Sequence, residues 1–503
     1  MARKTGSVDV AVIGGGPAGA AAARLLASWG RGVLLLTRPA PGPPLAESLT
    51  PSCVRLLERI GMRDAIDRAG FIRSTGHTVQ WGTESRRVET FNDGALGWQV
   101  RRDALDRVLL REARLGGASV HAHANVRSVD PMPDGDSRVR YDERGQARQV
   151  MARWVIDCTG RAGLVARGRA RAATGPRTTA IVGLWERRPD WALPDETHTL
   201  VESYPGGWAW SVPVSATRRQ VTVMLDPART ALARGSRLRL TYREELAATA
   251  MIRDACVRAR PVGGPWARDA TSYESDRTAR GRVLLAGDAA SSVDPLSSYG
   301  VKKALASAWL AAVVVHSVRD DPSLEAPAIA YFAERARAMV LGVRRSFGVL
   351  AREAASAHSE GFWSDREGAR GRVGAAAELI DSELSEPDVA ALRLDPEVRA
   401  AFETIRARSS LRLVAASDLA RAPRPVVEGN AMILKEHLIV AAFPSGIRFI
   451  RNVDLTVLLA LTPRYDDVSR LFEAYQRATG PVPLADFLGA LAVMLGKGIA
   501  RLD

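Results

Sequence analysis

Apolar and polar positions alternate in Val8-Asp9-Val10-Ala11-Val12-Ile13 in the manner of a buried parallel strand. An alanine-rich run from Ala18 to Ser28 follows, with strong helix propensity. A second apolar run, Val33-Leu34-Leu35-Leu36, comes after Gly30 and Gly32. Between the first strand and the helix stands Gly14-x-Gly16-x-x-Gly19, preceding and including Pro17 and Ala18. In such a turn the first glycine permits the tight bend, the second lets a pyrophosphate approach the backbone, and the third lets helix and strand pack closely. The free N–H groups of the first helical turn face the anion. The opening of the chain therefore predicts a dinucleotide-binding strand–turn–helix unit.

The pattern continues in order. Thr37-Arg38 stands at the end of the second strand, where an acid often binds an adenosine ribose; the chain departs from that pattern, and the threonine hydroxyl is the group expected to make one of those bonds. Pro39 to Pro44 reads as a loop, and Ala46-Glu47-Ser48-Leu49-Thr50-Pro51 leads into an amphipathic helix with Val54, Leu57 and Ile60 on one side. His77 to Trp98 is strand-like, and Arg101-Arg102-Asp103 reads as a strand end and helix start capped by Asp103, with Gly116-Gly117 as the stop. A strand pair is expected over 119–130 and 137–151, then a separate buried strand Trp154-Val155-Ile156-Asp157 ending in the turn Cys158-Thr159-Gly160-Arg161. Residues 176–275 alternate and carry five tryptophans, which predicts an antiparallel sheet with helices at its edge. Arg282 to Ala289 returns to the opening pattern. From Asp321 the chain reads as helical, with Pro423-Arg424-Pro425 as a linker.

The expected fold class is α/β: a Rossmann-like domain, an inserted antiparallel-sheet substrate domain and a helical C-terminal region. The corresponding boundaries are 1–75, 99–170 and 276–320 for the discontinuous nucleotide domain, and 76–98 with 171–275 for the sheet domain. A helical region over 321–425 and a helical or winged-helix-like unit over 426–503 follow.

Composition changes the picture little. A chain of 503 residues with 46% hydrophobic and 25% charged residues is globular and long enough for two or three substructures. Its net charge of +14 comes from arginine, since lysine occurs only at Lys4, Lys302, Lys303, Lys435 and Lys497. The arginines are spread rather than blocked, which argues against nucleic acid and leaves room for an acidic substrate or carrier. Cys53, Cys158 and Cys256 are odd in number and far apart, giving neither a disulfide framework nor a metal-ligand spacing, so the expected compartment is the cytoplasm and no metal is expected. The run Ala304 to Val315 falls short of the ~20 residues that span a bilayer, and reads as a buried helix with no membrane role.

Four stretches occur together: Gly14 to Gly19, the Arg102 region with Leu105 and Asp106, Asp157 to Arg161, and Gly287-Asp288-Ala289. Together, over roughly residues 8–320, they resemble the FAD-dependent monooxygenases and flavin-dependent halogenases of the para-hydroxybenzoate hydroxylase-like superfamily. The resemblance implies that Asp288 binds the flavin ribityl chain and that Pro295 to Gly300 opens a helix whose N-terminus, at Gly300 and Val301, faces the isoalloxazine ring. A helix N-terminus favours the negative charge of reduced flavin by ~0.3–2 kcal/mol. The implied cofactor contacts are Gly14, Gly16, Pro17, Ala18, Gly19, Thr37, Arg38, Glu47, Ser48, Arg102, Gly160, Gly287, Asp288, Gly300 and Val301.

Trp208-Ala209-Trp210-Ser211-Val212-Pro213 resembles the W-x-W-x-I-P signature of the halogenases and their close monooxygenase relatives. Asp294-Pro295-Leu296-Ser297-Ser298-Tyr299-Gly300 and the later Glu360-Gly361-Phe362-Trp363 resemble a narrower group, flavoproteins that modify a peptidyl tryptophan in tryptophylquinone maturation. Catalytic residues are not assigned, and the pocket candidates are Trp208, Trp210, Pro295, Ser297, Ser298 and Tyr299. The terminal segment faintly resembles peptide-recognition modules, with a structural cap as the plainer reading.

The resemblance implies an FAD-dependent monooxygenase that hydroxylates an indole or phenol, free or on a peptide or carrier, through a flavin C4a-hydroperoxide. Halogenases of this kind use a lysine after the glycine-rich loop to position hypohalous acid, and none lies between Lys4 and Lys302, where the relevant segment reads Arg73 to Trp81. Hydroxylation is therefore the expected reaction, and the alternatives are a flavin halogenase or a reductase or dehydrogenase acting on isoprenoid or polyketide double bonds. No second G-x-G-x-x-G stands for a resident nicotinamide, so electrons are expected from visiting NAD(P)H or from a separate flavin reductase.

Overall fold

The structure is a computed structural model that describes residues 6–39, 42–166, 171–188, 190–191, 193–230, 235–358, 361–366, 389–408 and 410–503. The chain forms two compact units, residues 1–320 with 332–376, and 321–331 with 377–503.

The first unit begins with β1 (Gly6–Ile13), α1 (Pro17–Ser28) and β2 (Val33–Leu36), as the hydrophobic pattern predicts. Then come β3 (Ala46–Leu49), β4 (Gly76–Gln80), β5 (Gly97–Arg101), α2 (Arg102–Leu115) and β6 (Ser119–His121). Helix α2 starts after Arg101 with no side-chain cap, so Asp103 is not the cap. It lies inside the first turn and bonds Arg101 and Arg107, where its charge still suits the helix N-terminus.

The two expected segments 137–151 and 154–157 are also redrawn. A single strand β7 (Gln146–Asp157) runs through both. It pairs antiparallel with Ser137–Glu143 and, further along, parallel with β1, because nothing between Met151 and Trp154 breaks the extended run. Parallel pairing continues from β1 to β2 and β6, and from β7 to β13 (Val283–Leu285). The central sheet thus brings the carboxyl ends of β1, β2, β7 and β13 to one side, the position from which open α/β sheets bind ligands.

A second sheet is built from β8 (Thr179–Arg187), β9 (Thr199–Tyr204), β10 (Gly207–Ser215), β11 (Arg218–Leu225) and β12 (Ala259–Asp269) in the order β12-β8-β11-β10-β9, extended by β4 and Arg87–Thr90. It is antiparallel except where β9 meets β4 in parallel, so the insertion is mixed at that edge. One face buries Ile181, Leu200, Val223 and Leu225 against helices Ser236–Ala247 and Met251–Val257.

Helix α3 (Gly300–Asp320) is long and apolar enough by length and composition to cross a membrane, yet 89% of its apolar window is buried inside the fold, as in a core helix. Its Ala304, Ala308, Ala311 and Ala312 are all buried, and it packs on α1, whose alanines allow close approach. Helix α4 (Glu325–Ala357) follows.

The second unit is helical, as expected, but also carries a small sheet. Helix α5 (Pro396–Ala407) is followed by β14 (Ala420–Glu428), β15 (Ala431–Val440) and Phe443–Ile447, which form a three-stranded antiparallel sheet. Pro423-Arg424-Pro425 therefore lie in β14 and do not form a linker. Each proline has only to find a position where no ladder N–H is needed, as at a sheet edge. Helices α6 (Leu455–Leu461), α7 (Val468–Thr479) and α8 (Leu484–Gly496) close a core of Leu438, Leu458, Tyr475, Phe487 and Leu491.

Candidate functional site

The glycines of the opening turn divide the work. A side chain on Gly14, whose φ is +106°, would stand 2.3 Å from the Cys158 carbonyl oxygen, and one on Gly19 only 1.8 Å from that of Gly14. Both positions close the turn against protein. Gly16 differs, since an added Cβ would meet only Arg102 Nη2, at 3.5 Å. That side is open, and α1 begins there with no side-chain cap, so its first N–H groups remain available to an anion. Pro17 at the first helical position gives up an N–H that has no helical partner anyway.

Around this turn the structure gathers most of the expected residues. Thr37 is buried at the end of β2, with its hydroxyl against Gly15 and 3.4 Å from the Arg38 carbonyl, whereas Arg38 itself is exposed. Strand β3 pairs with β5 so that Glu47 and Ser48 lie beside the start of α2. There Arg102 donates to Glu47 at 2.8 Å and lies 3.5 Å from Asp106. Burial opposes the Arg102 charge, but Glu47 and Asp106 outweigh it and hold its pKa above the ordinary value. Burial, aided by Glu47, pushes the Asp106 carboxyl up. The Ser48 hydroxyl is buried without a hydrogen-bond partner among the described residues, and Arg102 Nε and Asp106 Oδ1, 3.5 Å apart, have only each other. Unpaired buried polar atoms are costly, and a ligand rich in hydroxyl and phosphate oxygens would satisfy them.

Asp157 at the end of β7 accepts from Thr159 N and Oγ1 and from Val165 N at 2.6–2.9 Å, which fixes the turn that carries Gly160 at φ +63°. Gly287, also at positive φ, sits against Ala18 and Ala304. Next to it Asp288 keeps its carboxylate partly exposed, 3.1 Å from Lys303 Nζ, while the Tyr273 hydroxyl donates to its carbonyl at 2.6 Å. Lys303 also donates to the Ser291 carbonyl, and it is 3% exposed. Sequence reasoning did not place Lys303 or Tyr273 in the site. Both lysines are buried. A signal was present: cations at a helix N-terminus are unfavourable, so two of them opening an apolar helix call for a buried anion.

The turn before α3 holds Asp294, which caps it by accepting from Leu296 N at 3.0 Å. Burial raises its carboxyl to about 6, against the opposing pull of that N–H and of Arg366. Pro295 and Leu296 are partly buried, Ser298 takes a φ of +51°, and Tyr299 lies 5.5 Å from Lys302 Nζ. The side chain of Ser297 lies outside the described residues, as does Glu360 before Gly361. Gly300 and Val301 open α3.

Trp208 and Trp210 stack at 4.8 Å on one face of β10. That face joins Trp81, Phe362, Trp363 and Leu296 in an aromatic cluster, so the sheet and the turn before α3 share one apolar wall. Thr222 and Trp266 belong to the same cross-strand row as Trp210, through Val182. The Trp208 and Trp266 ring nitrogens and the Thr222 hydroxyl have no hydrogen-bond partner among the described residues.

A family model described as FAD binding domain matches residues 7–335. The chain belongs to that family. The tryptophan 2-halogenase of Chondromyces crocatus is 29% identical over 331 residues, 62% of this chain and 62% of its own length. Among solved structures, the flavin-dependent halogenase CmlS aligns at a TM-score of 0.78 and 21% identity over 99% of this chain and 96% of that one. QhpG, described as a peptidyl tryptophan dihydroxylase essential for tryptophylquinone cofactor biogenesis, aligns at 0.66 and 21% over 97% and 99%. At those identities the two structures show the fold alone. The open side of Gly16 and the orphaned Ser48 hydroxyl fit FAD.

Proposed function

We propose that this chain uses FAD to modify an electron-rich aromatic ring, and that the modification is halogenation of an indole or phenol. The observation that carries the reaction type is the 29% identity with the tryptophan 2-halogenase over 331 residues. Hydroxylation, expected first from the sequence, stands second.

When bound, reduced FAD supplies the electrons that turn O2 into an oxidant. The chain's residues do the holding. The α1 N-terminus at Gly16 would hold the pyrophosphate, Arg102 beside it, tied to Glu47 and next to Ser48, would add donors there, and Asp288 would accept from a ribityl hydroxyl. The N-terminus of α3 would favour negative charge on the ring system. Trp210, the partly exposed member of the wall, presents flat apolar surface to an aromatic substrate and is backed by the buried Trp208, Trp81 and Trp363. Electrons come from NAD(P)H directly or through a separate reductase. The substrate is free or carried on a peptide or carrier protein.

One observation favours the second reading. In the segment where the halogenase lysine is expected, Ser74 is buried and bonded by Gln99, and Arg73 lies over the Trp98 ring at 4.6 Å. Arginine stays protonated at neutral pH and cannot replace a lysine that exchanges protons. Lys303 is engaged with Asp288. The deciding assay supplies purified flavoprotein with chloride, bromide, labelled O2, NADH with and without a flavin reductase, and indole and phenol substrates. Mass spectrometry that finds halogen in the product establishes the first reading. Labelled oxygen without halogen establishes the second, and absence of bound flavin from the purified protein overturns both.

A further inference from the structure

The second unit holds a cavity of about 710 Å3 between α5 and α8. Val398 and Phe402 from α5, Leu488 and Val493 from α8, and Ile450 give it an apolar wall. Small-molecule pockets span about 300–1,000 Å3. Glycine positions on α8 create the space. A side chain on Gly496 would stand 2.8 Å from the Glu397 carbonyl oxygen, so the helices meet closely there, while at Gly489 an added Cβ would meet nothing within 4 Å.

Charge around the cavity is unevenly matched. Arg393, Arg399, Arg451, Glu403 and Asp486 all line it. Arg451 is paired with the buried Asp486, and Glu403 lies 3.7 Å from Arg406, so both carboxylates have a cation. Arg451 also takes a left-handed φ of +51°, rare for a residue with a side chain, and its ion pair fixes it at the rim. Arg393 and Arg399 have no carboxylate within ion-pair distance among the described residues, and Arg399 Nε donates only to the Arg393 carbonyl at 3.3 Å. Two unmatched guanidinium groups beside an apolar wall complement a molecule with an apolar body and one acidic group.

We propose that this cavity binds an amphipathic acid, an apolar chain or fused ring bearing a single carboxylate or sulfonate, independently of the reaction assigned to the flavin half. The test titrates the full-length flavoprotein with 8-anilinonaphthalene-1-sulfonate and follows its fluorescence, then displaces it with dodecanoate, dodecanol or dodecylammonium below their micelle concentrations. One saturable site is expected, with dodecanoate at least tenfold more effective than dodecanol and dodecylammonium weakest. Gly489→Leu fills the open space and should weaken the probe at least tenfold with FAD content and thermal midpoint unchanged. The double variant Arg393→Gln/Arg399→Gln replaces two exposed residues and should cut the advantage of dodecanoate to under threefold. It keeps the test decisive should Gly489→Leu fail to fold. Probe binding unchanged in a folded Gly489→Leu, dodecanol matching dodecanoate on the native protein, or an unaltered preference in the arginine variant would each overturn the proposal.

Discussion

Replacing Gly16 by valine separates ligand binding from folding. The residue has φ −77° and ψ −171°, extended backbone that valine adopts readily, and an added Cβ meets only Arg102 Nη2 at 3.5 Å. The folded state is therefore expected to lose at most about 1 kcal/mol, the difference between glycine and valine at a helix N-cap. The two γ-methyl groups enter the space beside the free N–H groups of α1. If two charge-assisted bonds to the pyrophosphate are lost, at about 1.5 kcal/mol each, affinity for FAD falls roughly 150-fold. Gly19→Ala is the control, because its Cβ would lie 1.8 Å from the Gly14 carbonyl oxygen and the helix would have to move, at a cost of about 3 kcal/mol. The assay measures FAD-dependent fluorescence quenching on apoprotein together with the thermal midpoint. Gly16→Val should lose FAD and keep its midpoint, and Gly19→Ala should lose its midpoint. Stoichiometric FAD in Gly16→Val would refute the placement of the pyrophosphate.

Asp288→Asn should weaken FAD roughly tenfold, the loss of one charge-assisted bond, as read by flavin retained through gel filtration; full retention would show that Asp288 serves only Lys303. Asp294→Asn tests pH dependence. The folded pKa of about 6 stands above the usual carboxylate value, so the folded protein holds this proton more tightly than the unfolded chain. This contribution is complete below about pH 4 and is lost as pH rises through about 6, leaving a penalty near neutrality of about 3 kcal/mol. Asparagine keeps the acceptor for Leu296 N, so the variant should be more stable than the native chain at pH 7.5 and lack its decline in stability between pH 4 and 6; denaturant midpoints across that range that parallel the native ones would refute the assignment. Asp454→Ala in the second unit removes a carboxylate that caps α6 at Thr456 N and pairs with Arg448 at 2.7 Å, and should destabilise that unit by about 3 kcal/mol, measured by the urea midpoint of its proteolytic protection.

The flavin half was legible because its signals are local. Gly14, Gly16 and Gly19 act within one strand–turn–helix unit, and the periods of Val8 to Ile13 and Ala18 to Ser28 fix that unit without reference to distant chain. The turn that carries Asp288 was legible through a motif of neighbouring residues. Lys303 was not, because its meaning depends on Asp288 and Ser291, fifteen and twelve positions away across a turn.

Elsewhere tertiary contacts overrode local preference. Pro423 and Pro425 read as punctuation, yet pairing of β14 with β15 holds them in a strand, since a proline costs a sheet nothing where its missing N–H would face away from a partner. Asp103 has the chemistry of a cap, but the pairing of β3 with β5 sets the helix start two residues earlier, at Arg101. The cavity beside α8 had no signal in the sequence. Gly489 and Gly496 are alike as residues, and only the distance to α5 makes one a close contact and the other an opening. Residues whose partners lie within a turn or two of chain could be read from the order of amino acids alone. Those whose partners arrive from elsewhere took their roles from the fold, because burial and charge pairing depend on what packs against a residue.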